Sequence, residues 1–524
     1  MNYYLKKFLK LYHLSIPLLL VATFNALVAA LQLFLLNQFL ISWNTASVNN
    51  DFLIWIVLYL CSFIIIIFSN TLEEYVAYSV ITKYKNILTL EWYKTILQKH
   101  QKSLNKVGKD KILNLFHTDA FNVAVNTAQF LLIVSSIVSI AGTLIIYGTI
   151  APKVMGIIFI VSLIILPIKI YLVVRAIPKQ KVKESKIAEK WMGKVIAFTQ
   201  VQNVFLNNNK TVYFDHLYQE QTSPIVKMYN KVVMKTKLFG EGSKFLNKFA
   251  FIITFVVSLV LYVKGYVDLS VLIVLVINFA TYVGYLDALI NNYMFINTVK
   301  EFDNKAKEFF SELFDKKALA FDHFDQLSIQ NLNFNYQEKS IFQDFNLTIN
   351  ANDKVLIKGT SGKGKSTLIN LMMNYLDPTS GTIKINNTLY EQETDLANLF
   401  TLVNKDIQLL EYPSLNQIIA AQETNYSVEK INQLKELFNI NFIEDETNVD
   451  VSNLSEGQVQ RIKLASAFYI DKPVFLLDEV LSNLDKENRD DILNKILSLD
   501  KTIIFVSHHL TSNQEDLFNK KVIL

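Results

Sequence analysis

Cysteine, glycine, proline and charged residues are all scarce in this chain of 524 residues. The single cysteine, Cys61, excludes an intramolecular disulfide and a zinc site built from cysteines. The 14 glycines and 8 prolines exclude collagen-like and linker-like chains. Only 19% of the residues are charged and 51% are apolar, which excludes a disordered chain and argues against an ordinary soluble enzyme.

The charges that are present divide the chain into two parts. Residues 1–301 carry 29 Lys and Arg against 14 Asp and Glu, whereas residues 302–524 carry 22 against 33. This change of composition predicts a basic, apolar domain over residues 1–305 and an acidic domain over residues 326–524. The polar, amphipathic stretch 306–325 is the expected linker between them.

The basic part contains apolar runs of the length that a membrane helix needs, which is about 20 residues. We identify six: 15–42, 52–75, 127–150, 154–175, 245–267 and 268–297. They predict an all-α polytopic membrane domain with six transmembrane helices. Asn25, Gln32 and Gln38 lie inside the first run, where they are expected to form hydrogen bonds to neighbouring helices.

The placement of Lys and Arg predicts the orientation in the membrane. The long loops 76–126 and 175–244 carry eight and thirteen of these residues, and the short loops between the other runs carry one at most. We therefore expect the N-terminus, both long loops and the C-terminal domain on the cytoplasmic side of a plasma membrane. The same rule accounts for the basic residues, so nucleic-acid binding is not expected. Apolar residues at helical spacing in both loops predict long cytoplasmic extensions of the membrane helices.

The stretch KVLIKGTSGKGKSTLINLMM (354–373) carries a nucleotide-binding pattern. An apolar strand, the sequence G-x-x-x-x-G-K-S and an apolar helix follow one another, as a P-loop requires. The pattern predicts an α/β P-loop NTPase domain in which Lys365 bridges the β- and γ-phosphates and Ser366 binds Mg²⁺. The expected ATP-binding residues of the loop are Gly359, Thr360, Ser361, Gly362, Lys363, Gly364, Lys365, Ser366 and Thr367.

A second apolar run, residues 474–477, ends in the acid pair Asp478 and Glu479. Acids at the carboxyl end of a strand lie at the phosphate site of an open α/β sheet. We expect Asp478 to hold Mg²⁺ and Glu479 to polarise the water that attacks the phosphate.

Between these motifs lies LSEGQ (454–458), which resembles the LSGGQ signature of ATP-binding cassette (ABC) proteins. The resemblance implies a cassette with a helical subdomain. It also implies that Ser455, Gly457 and Gln458 bind the ATP held by an opposite subunit. In the same way Tyr336 resembles the aromatic residue that stacks on adenine, Asp485 belongs to the D-loop, and His508 resembles the switch histidine that contacts the γ-phosphate.

The whole layout is similar to that of half-transporters of the ABC exporter type. In that family two chains form one pump that exports a small molecule, lipid or peptide by alternating access. Residues 108–119 and 197–205 resemble the coupling regions that dock on the cassettes. A homodimer is favoured slightly over a heterodimer, and the composition points to a bacterial gene. An importer of exporter-like fold and a non-transporting ATP-binding regulator are the alternatives.

Two positions depart from the family pattern. Lys405 stands where the Q-loop normally has Gln, and a cation beside Mg²⁺ is unfavourable. Glu456 replaces the first glycine of the signature and adds negative charge near ATP. The short stretch before the first apolar run contains no cysteine, so we expect this chain not to process a peptide cargo.

The last apolar run contains an acid. Asp287 and Tyr285 are candidates for lining a cargo cavity, because an ionisable residue inside the membrane is a functional-site hypothesis by default. The alternative is that Asp287 lies at the helix end or pairs internally, for example with Lys248.

Overall fold

The computed structural model describes most of the chain. The described residues are 3–44, 50–150, 152–267, 269–319, 323–337, 339–360, 362–404, 409, 414–421, 423, 425–443, 449–508 and 510–524. They form two compact units. The first contains residues 1–97 and 107–313, and the second contains residues 98–106 and 314–524.

The first unit is helical. Its helices are α1 (Tyr3–Lys10), α2 (Tyr12–Asn44), α3 (Asn50–Leu97), α5 (Lys109–Asn114), α6 (Ala120–Ile150), α7 (Pro152–Ile170), α8 (Ile177–Asn207), α9 (Thr211–Val263) and α10 (Leu269–Ser311). The short α4 (Gln101–Val107) lies between α3 and α5 in the chain, and all of it except Val107 belongs to the second unit. Two π-helical turns, Leu115–Asp119 and Tyr171–Ala176, join α5 to α6 and α7 to α8. Several helices continue well beyond the predicted spans, as expected for long extensions.

Among the residues that the structure describes, five helical segments are long and apolar enough to cross a membrane. They begin at Tyr12, Phe52, Lys109, Ile158 and Thr211. Residues 269–297 of the sixth apolar run lie in α10. A helix is suited to this role because it satisfies its own backbone hydrogen bonds in lipid.

Polar side chains within the apolar helices are bonded across helices. Asn25 of α2 donates a hydrogen bond to Asn70 Oδ1 of α3 at 2.9 Å and also contacts Glu73. Ser69 donates to Asn25 Oδ1 at 2.7 Å. The expected role of Asn25 as a partner of a neighbouring helix is therefore confirmed.

The second unit is an α/β cassette. Its strands are β1 (Lys317–Ala318), β2 (Gln326–Tyr336), β3 (Lys339–Asn350), β4 (Lys354–Lys358), β5 (Ser380–Ile385), β6 (Thr388–Leu389), β7 (Thr394–Asp395), β8 (Phe400–Val403), β9 (Val474–Asp478), β10 (Thr502–Val506) and β11 (Lys520–Ile523). Its helices are α11 (Lys365–Met372), α12 (Leu415–Ile419), α13 (Val428–Leu437), α14 (Glu456–Ile470), α15 (Lys486–Ser498) and α16 (Ser512–Glu515).

A parallel sheet forms the centre of the cassette, in the order β11-β4-β10-β9-β8. Apolar side chains cover both of its faces, which explains why β9 is a continuous apolar run. Phe475 and Leu477 point into one core cluster, and Val474 and Leu476 point into the other. The antiparallel strands β3-β2-β5-β6 form a separate sheet.

Residues 98–106, which connect two helices of the first unit, belong to the second unit. His100 N–H donates to Phe314 O at 3.0 Å, and the buried His100 ring bonds to Thr394 O through Nε2 at 2.9 Å. Lys99 pairs with Asp315 at 2.7 Å. This segment lies just before residues 108–119, where the resemblance to exporters places the first coupling region.

The attachment of this segment depends on a neutral imidazole. Nε2 of His100 faces a carbonyl oxygen and Nδ1 accepts the Lys102 N–H at 3.3 Å, so an added proton on Nδ1 removes one of the two bonds. Burial lowers the pKa of His100, a shift opposed by the Thr394 bond and Asp395 and assisted by Lys102 and Lys316.

Because the pKa is lower in the folded state, the stability that His100 contributes is present at neutral pH. It is lost as the pH falls below the unfolded pKa, about 6.5. We expect hydrogen exchange of peptide 98–106, corrected for intrinsic rates, to increase from pH 7.5 to pH 5.5. In His100→Gln, which keeps an N–H donor and does not titrate, exchange should be independent of pH. Equal pH sensitivity in both proteins would contradict this role.

Candidate nucleotide-binding site

Parallel pairing brings the motifs of the cassette to one edge of the sheet. Strands β4, β10 and β9 are neighbours, and Val506 aligns with both Ile357 and Asp478. The P-loop follows β4, the acid pair ends β9, and His508 follows β10. Because the carboxyl ends of parallel strands lie at the same edge, residues more than 140 positions apart in sequence become neighbours.

A cavity of about 600 Å³ opens at this edge. The predicted site residues in its wall are Tyr336, Gly362, Gly364, Lys365, Ser366, Thr367, Asp478, Glu479 and His508. Lys339, Ile341 and Asn404 also line it. Sequence reasoning missed Lys339 and Ile341 because no motif contains them, and in the Q-loop it singled out Lys405 and not the neighbouring Asn404. Tyr336 is half exposed, which leaves its ring accessible to a planar ligand.

The P-loop wraps around the buried Lys365. Its ammonium group donates to Gly359 O at 2.9 Å and to Thr360 O at 3.4 Å, and it contacts His508 Nε2. Gly364 precedes α11 with a φ of 98°, a conformation that favours glycine. A Cβ atom at Gly364 would lie 2.5 Å from Ile341 Cγ2, so only glycine fits without displacing the neighbouring strand.

The acid pair and the histidine face the P-loop. Glu479 Oε1 lies 3.4 Å from His508 Nε2. The backbone of Glu479 has a φ of 54°, which is uncommon outside glycine, and its N–H donates to Val506 O at 3.0 Å. The strand bond holds the residue in this strained conformation, at the end of β9 beside the cavity.

The residues around the cavity fit a nucleoside triphosphate with Mg²⁺. Gly362 in the cavity wall faces open space, and the N-terminus of α11 and Lys365 supply positive charge for phosphates. Ser366 and Asp478 supply oxygen atoms in the same cavity wall, and Mg²⁺ prefers oxygen ligands. Ser361 and Lys405 lie outside the described residues.

The signature residues are placed elsewhere in the cassette. Among the described residues, the cavity wall does not include Ser455, Gly457, Gln458 or Asp485. Ser455 is the N-cap of α14 and forms a capping box with Gln458, whose N–H donates to Ser455 Oγ at 3.3 Å.

Asp485 caps α15 in a similar way. Its carboxylate accepts the backbone N–H of Asn488 at 2.9 Å and the Asn488 side-chain amide at 2.8 Å. These two bonds lower the pKa of Asp485. The carboxylate is thus held charged at the start of α15, where the helix dipole favours it.

Asp287 is paired within the chain. Its two carboxylate oxygens accept hydrogen bonds from Lys169 of α7 and Asn247 of α9, and Lys169 also donates to Asn247. The partner is therefore Lys169 rather than Lys248. The Lys169 side chain is 4% exposed, against 26% for Asp287. Tyr285 is partly buried on the same helix, α10.

Comparison with known proteins finds relatives of the cassette. Residues 342–482 match the family model "ABC transporter". The Lactococcin-A transport/processing ATP-binding protein LcnC of Lactococcus lactis subsp. lactis is 34% identical over 213 residues, or 38% of this chain and 30% of that protein. A probable ABC transporter ATP-binding/permease protein of Haemophilus influenzae is 33% identical over 211 residues, or 37% of each. These matches span about a third of each relative.

A solved structure has a similar fold over nearly the whole chain. A bacterial Atm1-family ABC exporter with ATP bound aligns with a TM-score of 0.74, covering 98% of this chain and 94% of that one. The sequence identity is 15%, so this likeness concerns the fold alone.

The conformation of Gly364 predicts a specific effect of substitution. Gly364→Ala combines backbone strain with a steric clash, and we expect ATP affinity to fall at least about tenfold in a titration with a fluorescent ATP analogue. Gly362→Ala is the matched control, because Gly362 also has a positive φ, 81°, but faces open space. An equal loss in both variants would show that the contact with Ile341 is irrelevant.

Because Asp287 pairs with Lys169, we expect that replacing both residues restores the stability that is lost when only one of them is replaced. Either Lys169→Met or Asp287→Leu alone leaves a buried charge unpaired, which costs about 3–5 kcal/mol. We expect each single variant to have a lower melting temperature in detergent and the double variant to regain most of it. If Asp287 instead binds cargo, the double variant will be as stable as the native chain and still defective in transport.

The order of the motifs, the family model and the fold agree with one another. Residues 342–482 match the ABC transporter family model, and the chain has a fold similar to that of an Atm1-family ABC exporter.

Proposed function

We propose that this chain is one half of an ATP-driven membrane exporter. The observation that carries the proposal is the convergence of Lys365, Glu479 and His508 in one cavity. This arrangement can bind a triphosphate and activate water for its hydrolysis. The helices of the first unit supply the membrane-spanning part.

The signature supports a dimer. Ser455 and Gly457 do not share the cavity of their own cassette, so they are available to a nucleotide bound by a second copy. Two chains would then enclose two ATP molecules, each between a P-loop and the partner's signature. A homodimer is the simplest assembly, because this chain has both halves of such a site.

Each residue of the cavity has a role in the proposed reaction. Lys365 exchanges the carbonyls of Gly359 and Thr360 for phosphate oxygens, and Ser366 and Asp478 hold Mg²⁺. When bound, Mg²⁺ neutralises phosphate charge. Glu479 orients and polarises the attacking water, and His508 contacts the γ-phosphate.

The proposal includes a location in the cell and a class of cargo. The basic loops support a position of the cassette on the cytoplasmic side of a plasma membrane, by the positive-inside rule. Two of the relatives named above are transport proteins, and one is named for a lactococcin. We propose a peptide or small molecule as cargo, with export as the direction.

The proposed chemistry predicts that Glu479→Gln separates binding from hydrolysis. The variant keeps the size of the side chain and loses the charged base, so kcat for ATP should fall about 100-fold or more while ATP binding persists. The measurement is ATP turnover of the purified chain in lipid nanodiscs, with Glu515→Gln as a control that removes another cassette carboxylate. Normal turnover in Glu479→Gln would contradict the assignment of the base.

A further inference from the structure

The first turn of α14 and the loop before α15 are in direct contact. A Cβ atom at Gly457 would lie 2.8 Å from Asn483 O, so the two backbones pack as closely as glycine allows. Beside this contact, Asn483 Nδ2 donates a hydrogen bond to Glu456 Oε2 at 3.1 Å. The Glu456 carboxylate is thereby drawn towards the loop that carries Asp485.

The two elements that carry these residues, α14 and the loop before α15, are held together by hydrogen bonds of Asn439. The carbonyl of Asn439 accepts a bond from Arg461 of α14 at 2.8 Å. The side-chain amide of Asn439 donates to Asn488 Oδ1 and Asp491 Oδ2 of α15, both at 3.0 Å. Asn488 in turn binds Asp485, so these hydrogen bonds reach the loop itself. The position of Asn483 relative to Glu456 is therefore set by the packing of two helices.

The charge of Glu456 conflicts with the proposed partner of this surface. The N-terminus of α14 is the positive end of the helix dipole, which favours an anion. Under the proposed function that anion is the triphosphate bound by the second copy. A carboxylate that turned towards it would repel phosphate and compete for the same helix end. Since Glu456 is exposed, no packing prevents that rotation, and the bond from Asn483 opposes it.

We infer that Asn483 is a positioning residue for ATP, whose amide holds the Glu456 carboxylate away from the nucleotide-binding side of the signature. The inference rests on the proposed function and adds a determinant of ATP affinity at the interface of two copies. It gives Glu456, where the ABC signature has glycine, a partner that makes its charge tolerable.

The test uses the full chain in lipid nanodiscs and measures ATP turnover of Asn483→Ala, Glu456→Gln and the double variant. Asn483→Ala releases the carboxylate, so KM for ATP should rise about three- to tenfold while kcat changes less. In the double variant the charge is gone, and KM should return to that of Glu456→Gln. Salt screens the repulsion between exposed charges. Raising the salt concentration should therefore reduce the difference in KM for ATP between Asn483→Ala and the native chain.

Glu429→Gln is the matched control, because it removes an exposed carboxylate from the first turn of another cassette helix, α13, and should leave KM unchanged. An unchanged KM in Asn483→Ala would overturn the inference. So would a double variant with the same raised KM, since Asn483 would then act independently of the charge. Both of these outcomes leave the proposed function intact, whereas absence of turnover in the native chain would overturn the function and this inference together.

Discussion

The parallel pairing of β4, β10 and β9 is the constraint on which the site depends. It aligns Val506 with Ile357 on one side and with Asp478 on the other, so the P-loop, the acid pair and His508 leave the sheet at the same edge. The apolar side chains on both faces of β9 keep the strand central in the sheet. A slip of one residue would turn these side chains to the opposite faces and move Glu479 away from the cavity.

The membrane imposes a different constraint on the first unit. Its helices satisfy their own backbone bonds, and several polar side chains within them, such as Asn25 and Asp287, are bonded across helices. Lys169, Asn247 and Asp287 join three helices in this way, and their charges cancel. Such a group can stabilise the packing of α7, α9 and α10 without leaving a net charge inside the membrane domain.

The cassette separates the two surfaces that we propose to bind nucleotide. One is the cavity of the P-loop, and the other is the paired start of α14 and α15. The second surface is organised by the capping box of Ser455, the cap of Asp485 and the contact of Gly457 with Asn483. Preorganisation of this kind lowers the cost of binding a second copy. A departure from the family pattern at Glu456 is accompanied by a partner, Asn483, at hydrogen-bond distance.

The sequence by itself determined the features that depend on neighbours along the chain. The P-loop, the apolar spans and the acid pair are short patterns, and the strand-loop-helix context of Lys365 is local. Only the tertiary structure decided which distant residues meet. Lys169 rather than Lys248 pairs with Asp287, residues 98–106 join the cassette, and Asn483 binds Glu456. No short pattern encodes these contacts, because they depend on how helices and strands pack and on which side chains that packing brings within hydrogen-bond distance.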